Sequence, residues 1–320
     1  MSVRLPFSFL PIADHTSLAE LTLAEVIALA RQVGERNREM HNGEWNADTL
    51  QCHEVRGKTL GIIGYGHIGS QLSVMADAFG MRVVFYDILA LMPLGSARPV
   101  SLEELLSTSD FVTLHVPETS TTKLMIREEQ LGMMKKGAFL INNSRGSVVD
   151  ISALARALKS GHLAGAAVDV FPKEPKENGL GFETELRDCP NIILTPHIGG
   201  STEEAQRAIG VEVAQAIIRF INTGSTIGAV NFPDLDLKRP APEARSVRLL
   251  NIHANVPGVL KQVNRYLAPF NIERQVQDSN DNVAYLMADI TCKNVAEIEA
   301  LQESMDNMAE SIRTRILYNA

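Results

Sequence analysis

Three side chains stand just beyond apolar runs, in types that together allow one chemistry. His197 follows Ile193-Leu194-Thr195-Pro196, Glu174 follows Val168-Asp169-Val170-Phe171-Pro172-Lys173, and Arg145 follows Ile141-Asn142-Asn143-Ser144. An imidazole titrates near neutrality and can take the proton of an alcohol while the carbon gives up hydride. A carboxylate bonded to that imidazole fixes its tautomer, and a guanidinium can grip a substrate carboxylate through two parallel hydrogen bonds. The expected roles are His197 as base, Glu174 as its partner and Arg145 as the clamp. Taken singly, each has a plainer reading: a satisfied loop histidine, a solvated glutamate between Pro172 and Pro175, and an arginine in a structural ion pair. Asp169, at the end of an apolar strand, would need partners for a buried carboxylate.

Hydride needs an acceptor, and the chain carries the pattern for one. An apolar run over 59–63 reads as a strand; Gly64, Gly66 and Gly69 follow in G-x-G-x-x-G spacing; a helical pattern then runs to 79 and closes at Gly80. The glycines permit a tight turn and close backbone approach to a pyrophosphate, which the helix N-terminus would attract. A second strand over 82–86 ends on Asp87, whose carboxylate could accept from both ribose hydroxyls and would repel a 2′-phosphate, so NAD is expected rather than NADP. His67 lies inside the fingerprint and could donate to phosphate, and His115 ends a strand on the expected adenosine side. His15, His41, His53 and His162 read as loop or helix-end residues.

These residues require a sheet whose loops meet at one edge. Helices near 102–106, 128–134 and 150–159 alternate with strands near 111–116, 138–142, 165–170 and 192–195, the pattern of an α/β doubly wound parallel sheet, a Rossmann domain. In such sheets ligands sit at the carboxyl ends of the strands. Ahead of it one long helix is expected from Ser17, in capping-box spacing with Glu20, to the stop at Asn42-Gly43. Another is expected over 201–221, with Ser201 and Glu204 spaced in the same way. The stretch 233–246, containing Pro240 and Pro242, reads as a linker, and 247–320 as a ferredoxin-like βαββαβ module. The expected domains are thus 1–16, 17–196, 197–232, the linker, and 247–320.

Composition limits the partners. The 320 residues carry a net charge of −8 with no basic patch, which argues against nucleic acid. Cys52, Cys189 and Cys292 are few and scattered, as expected of reduced thiols in a cytoplasmic protein, and they give no metal spacing. The apolar run over 5–12 is interrupted by Pro6 and Pro11, so neither a secretory signal nor a membrane span is expected.

The fingerprint, His115-Val116-Pro117-Glu118, Asn143-Ser144-Arg145-Gly146, Asp169-Val170-Phe171-Pro172-Lys173-Glu174-Pro175 and Thr195-Pro196-His197-Ile198-Gly199-Gly200-Ser201 together resemble the D-isomer-specific 2-hydroxyacid dehydrogenases. The resemblance implies Arg145, Glu174 and His197 as the catalytic trio. It implies NAD contacts at Gly64, Gly66, His67, Ile68, Gly69, Asp87, His115, Val116, Pro117, Asn143, Ser144, Arg145, Asp169, His197, Ile198, Gly199 and Gly200. Val230-Asn231-Phe232-Pro233, with a module opening His253-Ala254-Asn255-Val256-Pro257-Gly258, is similar to members that end in an ACT domain. That tail implies oxidation of 3-phosphoglycerate to 3-phosphooxypyruvate, the first step of serine synthesis, in a homo-oligomer, dimer or tetramer. It further implies serine as an effector held by His253, Asn255 and Asn271 between two ACT domains. Members of the family carry most of a substrate-binding lobe ahead of the position of Ser17, and that lobe is expected to be missing. A catalytically impaired subunit that binds NAD or serine is therefore an alternative, and a dehydrogenase of another 2-hydroxy acid is a second.

Overall fold

The computed structural model describes residues 15–229, 231–238 and 246–318. These divide after Ala208 into two compact units. The first begins with α1 (His15–Ala30) and α2 (Val33–His41). Then β1 (Thr59–Ile63), α3 (His67–Ala78), β2 (Arg82–Tyr86), β3 (Arg98–Pro99), α4 (Leu102–Thr108), β4 (Phe111–Leu114), α5 (Glu128–Met133), β5 (Ala138–Asn142), α6 (Ile151–Lys159), β6 (Leu163–Val168) and β7 (Ile192–Leu194) follow. The strands form one parallel sheet in the order β3-β2-β1-β4-β5-β6-β7. Strands β1, β4 and β5 are buried at every position, because both faces of the sheet are covered and alternation would place polar groups in a core. Leu105 and Leu106 of α4, Leu131 of α5 and Leu154 and Leu158 of α6 cover one face. Leu23, Val26 and Leu29 of α1 and Leu72 and Ala76 of α3 cover the other. The strand order reverses between β1 and β4, so the crevice for a ligand opens where the glycine turn after β1 meets the loop after β4.

The expected single helix over 17–41 is two helices. The His53 N–H donates to Ala30 O at 2.7 Å, occupying the last carbonyl of α1, and Gln32 takes a left-handed conformation (φ 52°). The apolar stripe also stops there: Val26, Leu29 and Ala30 are fully buried, whereas α2 buries no residue. Ser17 lies inside α1 rather than capping it, and its hydroxyl donates to Gly199 O at 2.7 Å. Thr202, not Ser201, caps the helix α7 (Glu203–Thr223), its Oγ1 accepting from Ala205 N at 3.2 Å.

The second unit contains β8 (Ser246–Ala254), α8 (Val259–Leu267), β9 (Asn271–Ser279), β10 (Val283–Thr291), α9 (Val295–Asp306) and β11 (Ser311–Tyr318), the βαββαβ order read from the sequence. Its antiparallel sheet runs β11-β8-β10-β9. Helices α8 and α9 cover one face through Val263, Leu267, Ile298 and Leu301. Phe232 and Leu237 cover the other, against Leu250, Tyr285 and Met287. The stretch expected to be a linker is therefore packed over 233–238. The Arg248 guanidinium, 3% exposed, binds Asp289 bidentately and donates to Thr223 O, Leu237 O and Lys238 O. Pro240 and Pro242 lie outside the described residues, as do Val230 and residues 1–14 of the remnant expected over 1–16. Among the described residues no helix is long and apolar enough to cross a membrane.

Candidate active site

The site is built on the carboxyl ends of β5, β6 and β7. Asp169 extends β6 by one residue, is 1% exposed, and gathers the loop after β7 onto itself. Its Oδ1 accepts from Thr195 Oγ1 at 2.6 Å and Ile198 N at 2.8 Å, and its Oδ2 accepts from Gly199 N at 2.8 Å. The Asp169 carbonyl accepts from His197 N at 2.8 Å. These bonds hold His197 in a left-handed conformation (φ 55°) that costs a non-glycine residue roughly 1–2 kcal/mol. The strain turns the imidazole towards the loop after β6. There its Nδ1 lies 2.7 Å from Glu174 Oε2, while Glu174 Oε1 accepts from Phe171 N at 3.0 Å.

Burial pushes the Glu174 carboxyl up, but the His197 hydrogen bond, the Phe171 N–H and the charges of His197 and Arg145 outweigh it and hold it below the usual carboxylate range. An ionised Glu174 can only accept, so Nδ1 donates and Nε2 is left to face substrate. Phe171, Phe182 and Leu194 wall the adjoining cleft of about 410 Å³, the two rings meeting edge to face at 4.8 Å.

Arg145 projects from the turn after β5. Asn142 knits that turn, its Oδ1 accepting from Ser144 N and Oγ and its Nδ2 donating to Arg145 O at 3.2 Å. A Cβ on Gly146 would lie 2.0 Å from the Phe171 carbonyl carbon, so only glycine lets this turn rest against the loop that carries Glu174. His197 and Glu174 thus bond directly, while Arg145, on the neighbouring turn, donates from Nη1 to Ser144 O at 2.7 Å and adds its charge to those that hold the Glu174 carboxyl down.

On the other half of the sheet, the fingerprint glycines have three different tasks. Gly64 (φ 93°) would place a Cβ 2.3 Å from His115 O, so it allows the turn to cross β4. Gly69 would place one 2.3 Å from Gly64 O, so it seats α3 on the turn. Gly66 has no heavy atom within 4 Å of its Cβ position, and it opens the twelve-residue α3. That open approach to a helix N-terminus fits a dinucleotide pyrophosphate. Ile68 follows His67 in the first turn of α3. Asp87, at the end of β2, accepts from Tyr65 N at 2.7 Å and Leu89 N at 2.9 Å, and so closes the turn from the side. Tyr65 itself stacks on Phe85 at 3.6 Å. Val116 packs toward Gly64 and Pro117 is exposed. Burial drives the His115 imidazole down to about 3, so it stays a neutral ring with Nε2 on Thr113 Oγ1 at 3.1 Å.

Three expected contacts are directed elsewhere. The Asn143 side chain is turned into the protein, onto α1, and Ser144 is buried against Asn142. The Asp169 carboxylate is occupied by the 195–199 loop, with Gly200 O accepting from Gln206 just beyond it. The residue that sequence reasoning missed is Glu25, which anchors Asn143 from α1. Its only signal was an acid inside the apolar stripe of that helix.

In the second unit His253 is buried, with Nδ1 on Asn251 Oδ1 at 2.9 Å, and burial lowers its pKa. Asn255 donates to Asn280 O at 2.8 Å. Asn271 pairs with Thr291 at one end of β10 while His253 pairs with Ala284 at the other, roughly 23 Å along the strand. One module therefore does not bring the three together.

A dinucleotide crevice beside an imidazole–carboxylate pair defines an NAD-dependent oxidoreductase. The family profile of the D-isomer-specific 2-hydroxyacid dehydrogenase NAD-binding domain matches residues 23–199, and the chain belongs to that family. It is 54% identical over 318 residues to D-3-phosphoglycerate dehydrogenase 1 of Saccharomyces cerevisiae, covering 96% of this chain and 68% of that one. It is 47% identical over 311 residues to D-3-phosphoglycerate dehydrogenase of Escherichia coli strain K12, covering 96% and 75%. Among solved structures it resembles the NAD-dependent formate dehydrogenase of Staphylococcus aureus in complex with NAD. That match has a TM-score of 0.61 and 33% identity and covers 66% of this chain and 63% of that one.

Proposed function

We propose that the protein oxidises 3-phosphoglycerate to 3-phosphooxypyruvate, with NAD as the hydride acceptor. The observation that carries the reading is the 2.7 Å bond between His197 Nδ1 and Glu174, on loops at the ligand edge of the sheet. NAD, when bound along Gly66, α3 and Asp87, supplies the acceptor for the hydride. His197 Nε2 takes the hydroxyl proton, and the ionised Glu174 stabilises the imidazolium that forms. Arg145 holds the substrate carboxylate and so fixes which face of the carbon meets the cofactor. The substrate assignment leans on the named relatives in yeast and Escherichia coli.

The remaining assignments belong to the same proposal. The βαββαβ unit is an ACT-type module in which His253 and Asn255 of one copy meet Asn271 of another around serine, which makes the protein a cytoplasmic homo-oligomer with feedback. NADH formation should follow addition of 3-phosphoglycerate and be far slower with glycerate, lactate or formate, and serine should lower the rate. Faster turnover of an unphosphorylated acid would overturn the substrate assignment. Serine without effect on rate or thermal stability would overturn the regulatory one.

A further inference from the structure

Helix α1 carries an acid where its packing calls for hydrocarbon. Glu25 is 3% exposed, on a helix that packs against β5, β6 and β7. Its Oε2 accepts from Asn143 Nδ2 at 2.6 Å, and the same nitrogen donates to Thr22 Oγ1 at 3.0 Å. The Thr22 hydroxyl in turn donates to Leu18 O at 2.8 Å. Glu25 Oε1 and Asn143 Oδ1 are both buried and have no hydrogen-bond partner. The charged group that faces Glu25 is Asp169, from the end of β6, and among the described residues no basic side chain bonds either carboxylate.

Two neighbouring carboxylates without a cation cannot both ionise cheaply in a dehydrated space. Asp169 receives one hydroxyl and two backbone N–H donors, whereas Glu25 receives a single amide N–H. Of the two, Glu25 is therefore the one that keeps its proton. A proton there also supplies the donor that the cluster lacks. A carboxyl and a carboxamide pair by exchanging an N–H···O and an O–H···O bond, and the two unpartnered oxygens belong one to each group.

We propose that Glu25 is a positioning residue that works as a neutral acid: it fixes Asn143, and so the turn that presents Arg145, and loss of its proton loosens the grip on substrate. The proposal rests on the reading of Arg145 as the carboxylate clamp. Burial raises the Glu25 carboxyl to about 7, against the Asn143 N–H and with the Asp169 charge, so the change falls in the physiological range.

The test uses the full chain, with KM for 3-phosphoglycerate measured from pH 6 to 8.5 alongside the dissociation constant for NADH. In the wild type KM should rise several-fold with pH while NADH affinity stays level. Glu25→Gln keeps a carbonyl acceptor and an N–H donor, so its KM should stay flat near the low-pH value; Glu25→Ala should raise KM at every pH. A Glu25→Gln profile that follows the wild type, or one as poor as Glu25→Ala throughout, would overturn the proposal. An infrared carbonyl band of a protonated carboxyl at pH 6, lost in Glu25→Gln, reads the neutral acid without turnover, and its absence from the wild type would also overturn the idea. Should Arg145→Ala leave KM unchanged while that band is present, the clamp reading has failed and the neutral acid has not.

Discussion

Around β1, β2 and β4 the ligand edge is shaped by what side chains leave out, and around β5, β6 and β7 by carboxylates that pull loops together. At Gly64 and Gly69 any Cβ would collide with a backbone carbonyl at 2.3 Å, so the turn has one workable form. On the other half, Asp169 collects three donors, Glu174 two and Glu25 one. A cofactor bound chiefly through its phosphates and ribose needs a rigid backbone surface. A site that moves a proton needs groups whose charge can change, and the hydrogen bonds each acid collects fix and tune them at once.

The comparison breaks most visibly at His197. His197→Ala should lower kcat by about 10²- to 10⁴-fold, the usual contribution of a positioned acid–base group, with NADH affinity nearly unchanged. A parallel loss of NADH binding would mean that the two halves are not separable. Asp169→Ala comes next. It leaves a buried N–H, a partly buried N–H and a hydroxyl without their acceptor, at up to about 1–3 kcal/mol each, and frees His197 from its strained conformation. Thermal unfolding should show a loss of several kcal/mol, and turnover should fall with it. Wild-type stability would show that the loop is held by other contacts.

The glycines sharpen the contrast. Gly69→Ala forces α3 off the turn and should cost stability, about 1–3 kcal/mol as for other overpacking. Gly66→Ala meets nothing in the fold, so melting should barely move, while NADH affinity should drop because the methyl group occupies the approach to the pyrophosphate. If both variants lost stability equally, Gly66 would have a structural task and the open cradle would be the wrong reading.

The two halves were not equally legible. The dinucleotide half depends on neighbours in sequence: strand, three spaced glycines, helix and a closing acid fall within about thirty residues, so one window of the chain holds the physics. His197, Glu174 and Arg145 were legible because each follows an apolar strand and topology gathers strand ends. Glu25 and Asn143 stand 118 residues apart, and nothing local at either position points to the other. The break between α1 and α2 escaped for the same reason. The His53 N–H takes the Ala30 carbonyl, and periodicity over 17–41 cannot register a donor arriving from beyond it. Ser17 has capping-box spacing, but a tertiary acceptor, Gly199 O, claims its hydroxyl.

That last bond allows the smallest test. Ser17 ties the start of α1 to Gly199 while Thr22 and Glu25 tie its middle to Asn143, so one helix braces both the His197 loop and the Arg145 turn. A neutral, partly buried hydrogen bond contributes about 1 kcal/mol, and the Ser17→Ala variant should lose no more than that in thermal stability. Gly199 is also seated by Leu18, against which a Cβ at 199 would lie 2.1 Å away, so the loop keeps a second hold on α1. The expected result is a kcat lowered by a small factor with the KM for 3-phosphoglycerate unchanged, because the brace to Asn143 survives. A KM that rose while kcat stayed level would mean that α1 moves as a rigid unit and that its two anchors act as one.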